Sequence, residues 1–178
     1  MSGGIRIFAL FGNPVGHSLS PLMHNAAFKK MGIGAMYVPL SVDRIGEAVS
    51  AVRSLGISGV SVTIPFKTAV MDHLDCMDEA AREIGAVNTI INEGGKLAGA
   101  NTDWLGLSGA VSSRLGMSGK TFAVIGAGGA ARAAAYAIIR GGGSPVILNR
   151  TAKKAEELAR SSGADAWPLE RIGRLKAE

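Results

Sequence analysis

Phe122-Ala-Val-Ile-Gly-Ala-Gly-Gly-Ala-Ala-Arg132 is the stretch whose reading decides the fold. The apolar run Thr121 to Ile125 predicts a fully buried strand. Gly126, Gly128 and Ala131 follow in the order G-x-G-x-x-A, and the Ala-rich run Ala130 to Arg140 has helical composition. Each small residue has a task in such a strand–turn–helix. Gly126 permits the tight turn off the strand, Gly128 lets a pyrophosphate approach the backbone without meeting a Cβ, and Ala131 lets helix and strand pack closely. The open N–H groups and positive end of the helix then face the phosphates. Dinucleotide binding is the expectation; a merely structural glycine turn is the alternative.

The next apolar run, Pro145 to Leu148, reads as the second strand of the unit. A site for NAD carries Asp or Glu at that strand's end to hold the ribose 2′-hydroxyl. Here the strand runs into Asn149-Arg150-Thr151, with Lys153 and Lys154 behind and no carboxylate before Glu156. A guanidinium, a hydroxyl and an ammonium suit a 2′-phosphate, so the expected cofactor is NADP(H). The plainer alternative, a solvated helix start, places cations where they oppose the helix dipole.

Composition narrows the remaining classes. With 178 residues, 47% hydrophobic and 19% charged, the chain is globular and long enough for one large domain or two small ones. A single cysteine, Cys76, excludes an internal disulfide and a thiolate metal cluster. The start, Met1-Ser-Gly-Gly-Ile-Arg6, lacks a secretory pattern, and no apolar run is long enough to span a membrane, so a cytoplasmic protein is expected. The net charge of +5 is spread along the chain with only 5% aromatic residues. That points to phosphate-bearing small molecules, with no nucleic acid and no membrane as partner.

From the amino end, Ile5 to Phe11 reads as a strand closed by the turn Gly12-Asn13-Pro14. Ser20-Pro21 opens a helix to about Met31, with the Ser20 hydroxyl as cap and proline in the first turn; Ser18 has no such structural duty. Met36 to Leu40 is a second strand. Asp43 is expected to cap a helix through Leu55, with Ile45, Ala48, Val49 and Val52 on one face. Gly59 to Ile64 is a third strand, with Val60, Val62 and Ile64 on one side. Strand–helix–strand order implies a parallel sheet, and ligands of such sheets sit at the carboxyl ends of the strands. Ser18, Ser20, Thr63 and Lys67 all fall at that edge. Asp78 caps a short helix to Ile84, and Asn88 to Asn92 pairs with Leu97 to Ala100 across the turn Glu93-Gly-Gly-Lys96. A helix then starts at Asp103. Ala152 to Ser162 is helical with Ala155, Leu158 and Ala159 inside, Ala164 to Trp167 is a short strand, and Pro168 to Leu175 starts another helix. The expected division is 1–102, a connector 103–119, and 120–178.

Six motifs in register resemble the shikimate dehydrogenases, NADP-dependent enzymes of aromatic amino acid and chorismate biosynthesis. They are Gly12-Asn-Pro-Val-Gly-His-Ser-Leu-Ser-Pro21, Val62-Thr-Ile-Pro-Phe-Lys67, Gly85-Ala-Val-Asn-Thr89, Asn101-Thr-Asp103, Gly126-Ala-Gly-Gly-Ala-Ala-Arg132 and Asn149-Arg-Thr151. The resemblance covers essentially the whole chain. It implies an α/β fold: an N-terminal substrate domain with a mainly parallel sheet, then a Rossmann-type dinucleotide domain. It implies that Ser18 and Ser20 bind the substrate carboxylate, that Thr63, Asn88 and Asp103 hold ring hydroxyls, and that Lys67 and Asp103 form the catalytic pair. Gly126, Ala127, Gly128, Gly129 and Ala130 would carry the pyrophosphate, and Asn149, Arg150, Thr151 and Lys154 the adenosine 2′-phosphate. Glu79 matches a position on the nicotinamide side. The implied reaction is reversible reduction of 3-dehydroshikimate to shikimate, and a homodimer is compatible with it.

The chain ends at Glu178, short of the family's usual length, so a C-terminally truncated chain holding only the first half of the dinucleotide domain is expected. Three rivals stand beside this reading. A quinate/shikimate dehydrogenase using NAD(P) fits less well with Ser20 and Arg150. A glutamyl-tRNA reductase-like enzyme would need a reactive cysteine that Cys76, among Asp75, Met77 and Asp78, does not resemble. A non-catalytic chain would bind ligand without turnover.

Overall fold

The computed structural model describes residues 4–174 and divides them into two compact units, 4–82 with 87–100, and 83–86 with 101–174.

The first unit is built on a six-stranded sheet in the order β2-β1-β3-β5-β6-β4. Its strands are β1 (Arg6–Gly12), β2 (Ala35–Ser41), β3 (Gly59–Val62), β4 (Cys76–Met77), β5 (Thr89–Glu93) and β6 (Lys96–Ala100). Strand β1 runs parallel to both β2 and β3, with Ala9 opposite Val38 and Val60. Strand β5 is antiparallel to β3 and β6, as the Glu93–Lys96 turn demands, and β4 is parallel to β6. One face of the sheet is covered by α2 (Ile45–Ser54), which buries Ile45, Val49 and Val52. These pack with Ala9, Phe11, Val60, Val62, Ile90 and Leu97 into the main core. The other face is covered thinly. Helix α1 (Ser20–Met31) buries no residue; Phe28 packs partly on Leu10, Val15 and Tyr37, and Leu22, Met23 and Met31 are exposed.

At the far edge, Asp75 anchors β6. Its Oδ2 accepts from Leu97 N at 2.6 Å and from Arg53 Nη2 at 2.9 Å. The Leu97 amide first, and then the Arg53 guanidinium, hold the Asp75 carboxyl below its ordinary range. A folded-state value below the unfolded one stabilises the fold above about pH 4, and the contribution is lost as pH falls further. Asp75→Asn is expected to lower Tm at pH 7, with the gap to wild type closing as acid scans pass below about pH 4. A gap that stays constant with pH would remove ionisation from the account.

The second unit holds a parallel sheet in the order β7-β8-β9, from β7 (Thr121–Ile125), β8 (Ser144–Asn149) and β9 (Asp165–Pro168). Helix α5 (Gly129–Arg140) buries Ala131, Ala133, Ala135, Ala137 and Ile138; Ala131, Ala135 and Ile138 share the face that packs in the sheet's core, and the two alanines there allow close approach. Helix α6 (Ala152–Ser162) buries Ala155, Leu158 and Ala159, the face expected from its periodicity. Ala131, Ala135 and Ile138 of α5 and these three residues of α6 form this unit's core with Val124 and Ile147. Two further helices complete the chain: α3 (Glu79–Ile84) and α4 (Asp103–Ser112).

Several local expectations are corrected. Strand β7 is not fully buried: it pairs only with β8 among the described residues, and Thr121, Ala123 and Ile125 are exposed. An apolar run does not tell a central strand from an edge strand. Strand β3 stops at Val62, so Ile64 leaves the face shared by Val60 and Val62 and lies 72% exposed. Neither Ser20 nor Asp43 caps its helix: Ser20 is the first residue of α1 and makes no side-chain cap bond, while Asp43 accepts from Asn13 Nδ2 at 2.9 Å. Asp78 does cap α3, through Ala81 N at 2.6 Å. The last expected helix is a 3-10 helix, Leu169–Arg174, and Leu175 lies outside the described residues. A 3-10 helix at Ala69–His73 and the two-residue β4 carry too short a pattern to be read in sequence.

Candidate functional site

In the first unit the site grows from two parallel strands that end side by side. After β1 and β3 the chain is stitched across the edge by backbone hydrogen bonds: Thr63 N to Phe11 O at 2.8 Å and Asn13 N to Ile64 O at 3.0 Å. The Asn13–Pro14 and Ile64–Pro65 peptides are both cis. Gly12 is where the two loops approach most closely. A Cβ there would collide with the Thr63 methyl, with Val15 Cγ1 at 2.7 Å and with Ile64 O at 3.0 Å, so no larger residue fits without displacing Thr63.

Lys67 ends the second loop. Its carbonyl accepts from Val87 N at 2.7 Å, and Asn88 O accepts from Val62 N at 2.7 Å. Residues 63–67 and 87–88 are therefore tied to one sheet edge by their backbones. Asn88 Oδ1 accepts from the Thr89 hydroxyl at 2.8 Å. At the start of α1, Ser18 Oγ accepts from Ser20 N at 3.2 Å and lies 3.2 Å from Ser20 Oγ. Ser18, not Ser20, thus supplies the structural bond there, the reverse of the expectation. Helix α1 is held to β2 by Asn25, whose side chain accepts from Tyr37 N at 2.8 Å and donates to Tyr37 O at 2.9 Å. Ser18, Ser20, Thr63, Lys67 and Asn88 are all half-buried at this edge. Glu79 is not among them: it opens α3 after β4, three strands from β3 in the sheet, and is exposed.

In the second unit, Asp103 is the half-buried first residue of α4, and its backbone N donates to Asn101 Oδ1 at 3.0 Å. The Gly-rich turn has the conformation its residues suggest. Gly126 sits at φ +124°, where a side chain is strained, and a Cβ on it would stand 3.9 Å from Ala131 Cβ. Gly128 is different: a Cβ there would meet nothing within 4 Å, so internal packing does not require glycine. The space at the N-terminus of α5 is open to a group from outside the chain, as a pyrophosphate cradle requires. Beyond β8, Asn149 Nδ2 donates to Thr151 O at 3.0 Å and braces the turn. Thr151 is the N-cap residue of α6 but makes no side-chain cap bond, and the first turn of α6 has no acidic residue. Arg150 and Lys154 are exposed beside it. Cations with no local carboxylate at a helix start form a donor set that fits a phosphate monoester.

Among the described residues no cluster of His, Cys, Asp and Glu is arranged to hold a metal, and no helix is long and apolar enough to cross a membrane. Two side chains with a part in this arrangement, Asn25 and Asn101, receive no role of their own from sequence reasoning. Both act on backbone groups brought near by folding, and the only signal for either is an amide residue inside an otherwise apolar or small-residue segment.

A polar strand-edge cluster in one α/β unit, followed by a parallel α/β unit with a Gly-rich turn and a cationic second-strand end, defines a class: two-unit α/β proteins whose second unit is of the Rossmann type. Residues 10–90 match the family model of the shikimate dehydrogenase substrate binding domain. The chain is 46% identical over 154 residues to an NADP(+) shikimate dehydrogenase of Pyrococcus abyssi and 49% identical over 160 residues to one of Geobacillus kaustophilus. These alignments take in 86% and 87% of this chain and 58% of each relative. The shikimate dehydrogenase of Thermus thermophilus, solved in complex with NADP(H) and shikimate, superposes with a TM-score of 0.85 at 38% identity, covering 94% of this chain and 64% of that one. These relatives and this solved structure, to which the chain is similar, are shikimate dehydrogenases, and the chain spans about three-fifths of the length of the curated relatives it matches.

Proposed function

We propose that this chain serves the NADP-linked interconversion of shikimate and 3-dehydroshikimate, with Lys67 and Asp103 as the catalytic pair. The observation that carries the proposal is the cluster of Ser18, Ser20, Thr63, Lys67 and Asn88 at one sheet edge, inside the span that matches the substrate-binding model. Two hydroxyls beside a helix start suit a carboxylate, and Thr63, Asn88 and Asp103 offer donors and acceptors for ring hydroxyls. Lys67 offers the proton-carrying group.

The open space at Gly128 and the Arg150 side chain would hold NADP, which when bound would accept the hydride from the ring carbon in the oxidative direction. The same carbon's hydroxyl then loses its proton as the C–O bond becomes a carbonyl. Lys67 takes that proton and returns it in the reductive direction, so atoms and charge balance in both. Asp103, as a carboxylate, orients the hydroxyl and the ammonium.

Nicotinamide absorbance tests this directly. The purified chain with shikimate is expected to reduce NADP faster than NAD, and to prefer shikimate to quinate. Preference for NAD or for quinate would replace the proposed substrate and cofactor. Calorimetric binding of shikimate without any NADP reduction would replace catalysis with ligand binding alone.

A further inference from the structure

We infer that Asn101 is the positioning residue for Asp103. Asn101 is the buried polar side chain among the described residues, 2% exposed. Burying a primary amide is costly unless both its ends are satisfied. Here both are: Nδ2 donates to Ala86 O at 2.8 Å, and Oδ1 accepts from Asp103 N at 3.0 Å.

Thr102, the N-cap residue, makes no side-chain cap bond. Asn101 Oδ1 takes one of the N–H groups that a helix start leaves unpaired. The carbonyl at the other end of the amide belongs to Ala86, 0% exposed, next to Gly85 at φ +67°. Asp103 is thus tied through one buried amide to the buried backbone at Ala86. A plain core-filling role would call for an apolar residue of the same size; the double hydrogen bond calls for Asn.

This inference rests on the role proposed for Asp103 above, and binding measurements separate the two. Shikimate and NADP affinities are measured by calorimetry on the whole chain, for wild type, Asn101→Ala and Asn101→Ser. Asn101→Ala is expected to weaken shikimate binding on the order of tenfold while NADP affinity stays within about twofold. Asn101→Ser is expected to recover part of the loss, because a hydroxyl can accept from the N–H two residues on. Unchanged shikimate affinity in Asn101→Ala overturns the inference. So does a parallel loss of both ligands, or unfolding, in both variants, which would make Asn101 a structural residue only. A wild-type chain that binds no shikimate removes the role of Asp103 itself, and the inference with it.

Discussion

Lys67→Ala is expected to lower shikimate-dependent NADP reduction by about 10²–10⁴-fold, the usual contribution of a positioned acid/base. The dissociation constant for shikimate should rise by no more than about 10–100-fold, since a hydrogen bond to a charged group is worth about 1.5–3 kcal/mol. The separation is possible because the bond that anchors residue 67 to the fold, Val87 N to Lys67 O, belongs to the backbone. Truncating the side chain leaves it intact, and a half-buried lysine stem is a modest packing loss. Lys67→Arg sharpens the test: it keeps the positive charge but presents a group that does not give up its proton near neutral pH. Turnover should be lost in both variants while binding persists in Lys67→Arg. Steady-state kcat and KM, with Tm as a check on folding, decide it; wild-type turnover in either variant would take Lys67 out of the chemistry.

The second large effect concerns cofactor choice. Arg150→Ala is expected to cost about 10–100-fold in NADP affinity, because hydrogen bonds to a charged partner contribute about 1.5–3 kcal/mol. NAD affinity should change little. Arg150→Asp should go further and favour NAD, since a carboxylate repels the 2′-phosphate and accepts from the 2′-hydroxyl instead. Arg150 is exposed at the end of β8 and takes no part in the core, so neither change should move Tm appreciably. Titrations of both dinucleotides at one fixed ionic strength are needed, as salt screens exposed charges. Equal losses for NAD and NADP would place Arg150 on a part common to both cofactors.

What could be read in the sequence was mostly what local physics decides. The face Ala155, Leu158 and Ala159 of α6, the Glu93–Lys96 turn and the strained glycine at 126 follow from residues close in the chain, and the structure has them. That Ser18, Ser20, Thr63 and Lys67 fall at the edge where β1 and β3 end was legible too, because strand direction follows from the alternation of strands and helices. What escaped was decided by distant partners. Whether β7 is central or an edge depends on what pairs beside it, not on Thr121 to Ile125 themselves. Which serine serves the start of α1 depends on the path of the loop before it. Gly12 reads as part of a turn, and only the loop carrying Thr63, far along the chain, shows why nothing larger fits. Asn101 looks like one polar residue among several until folding buries it between Ala86 and Asp103.

The thin cover over one face of the first unit's sheet has a consequence for how the molecule breathes. Helix α1 carries Ser20 yet buries no residue; beyond its own turns it is held by the Asn25–Tyr37 bonds, by Phe28 against Phe8 at 5.6 Å and by His24 stacked on Tyr37 at 4.4 Å. Elements with so little burial open locally at a free-energy cost well below that of global unfolding. Ser20 therefore sits on a thinly covered helix, while Thr63 and Asn88 lie just beyond the ends of the central strands β3 and β5. With Ser18 and Ser20 in the role proposed for them, ligand binding would draw on the local stability of α1, and slower amide exchange along that helix is the expected sign of occupancy.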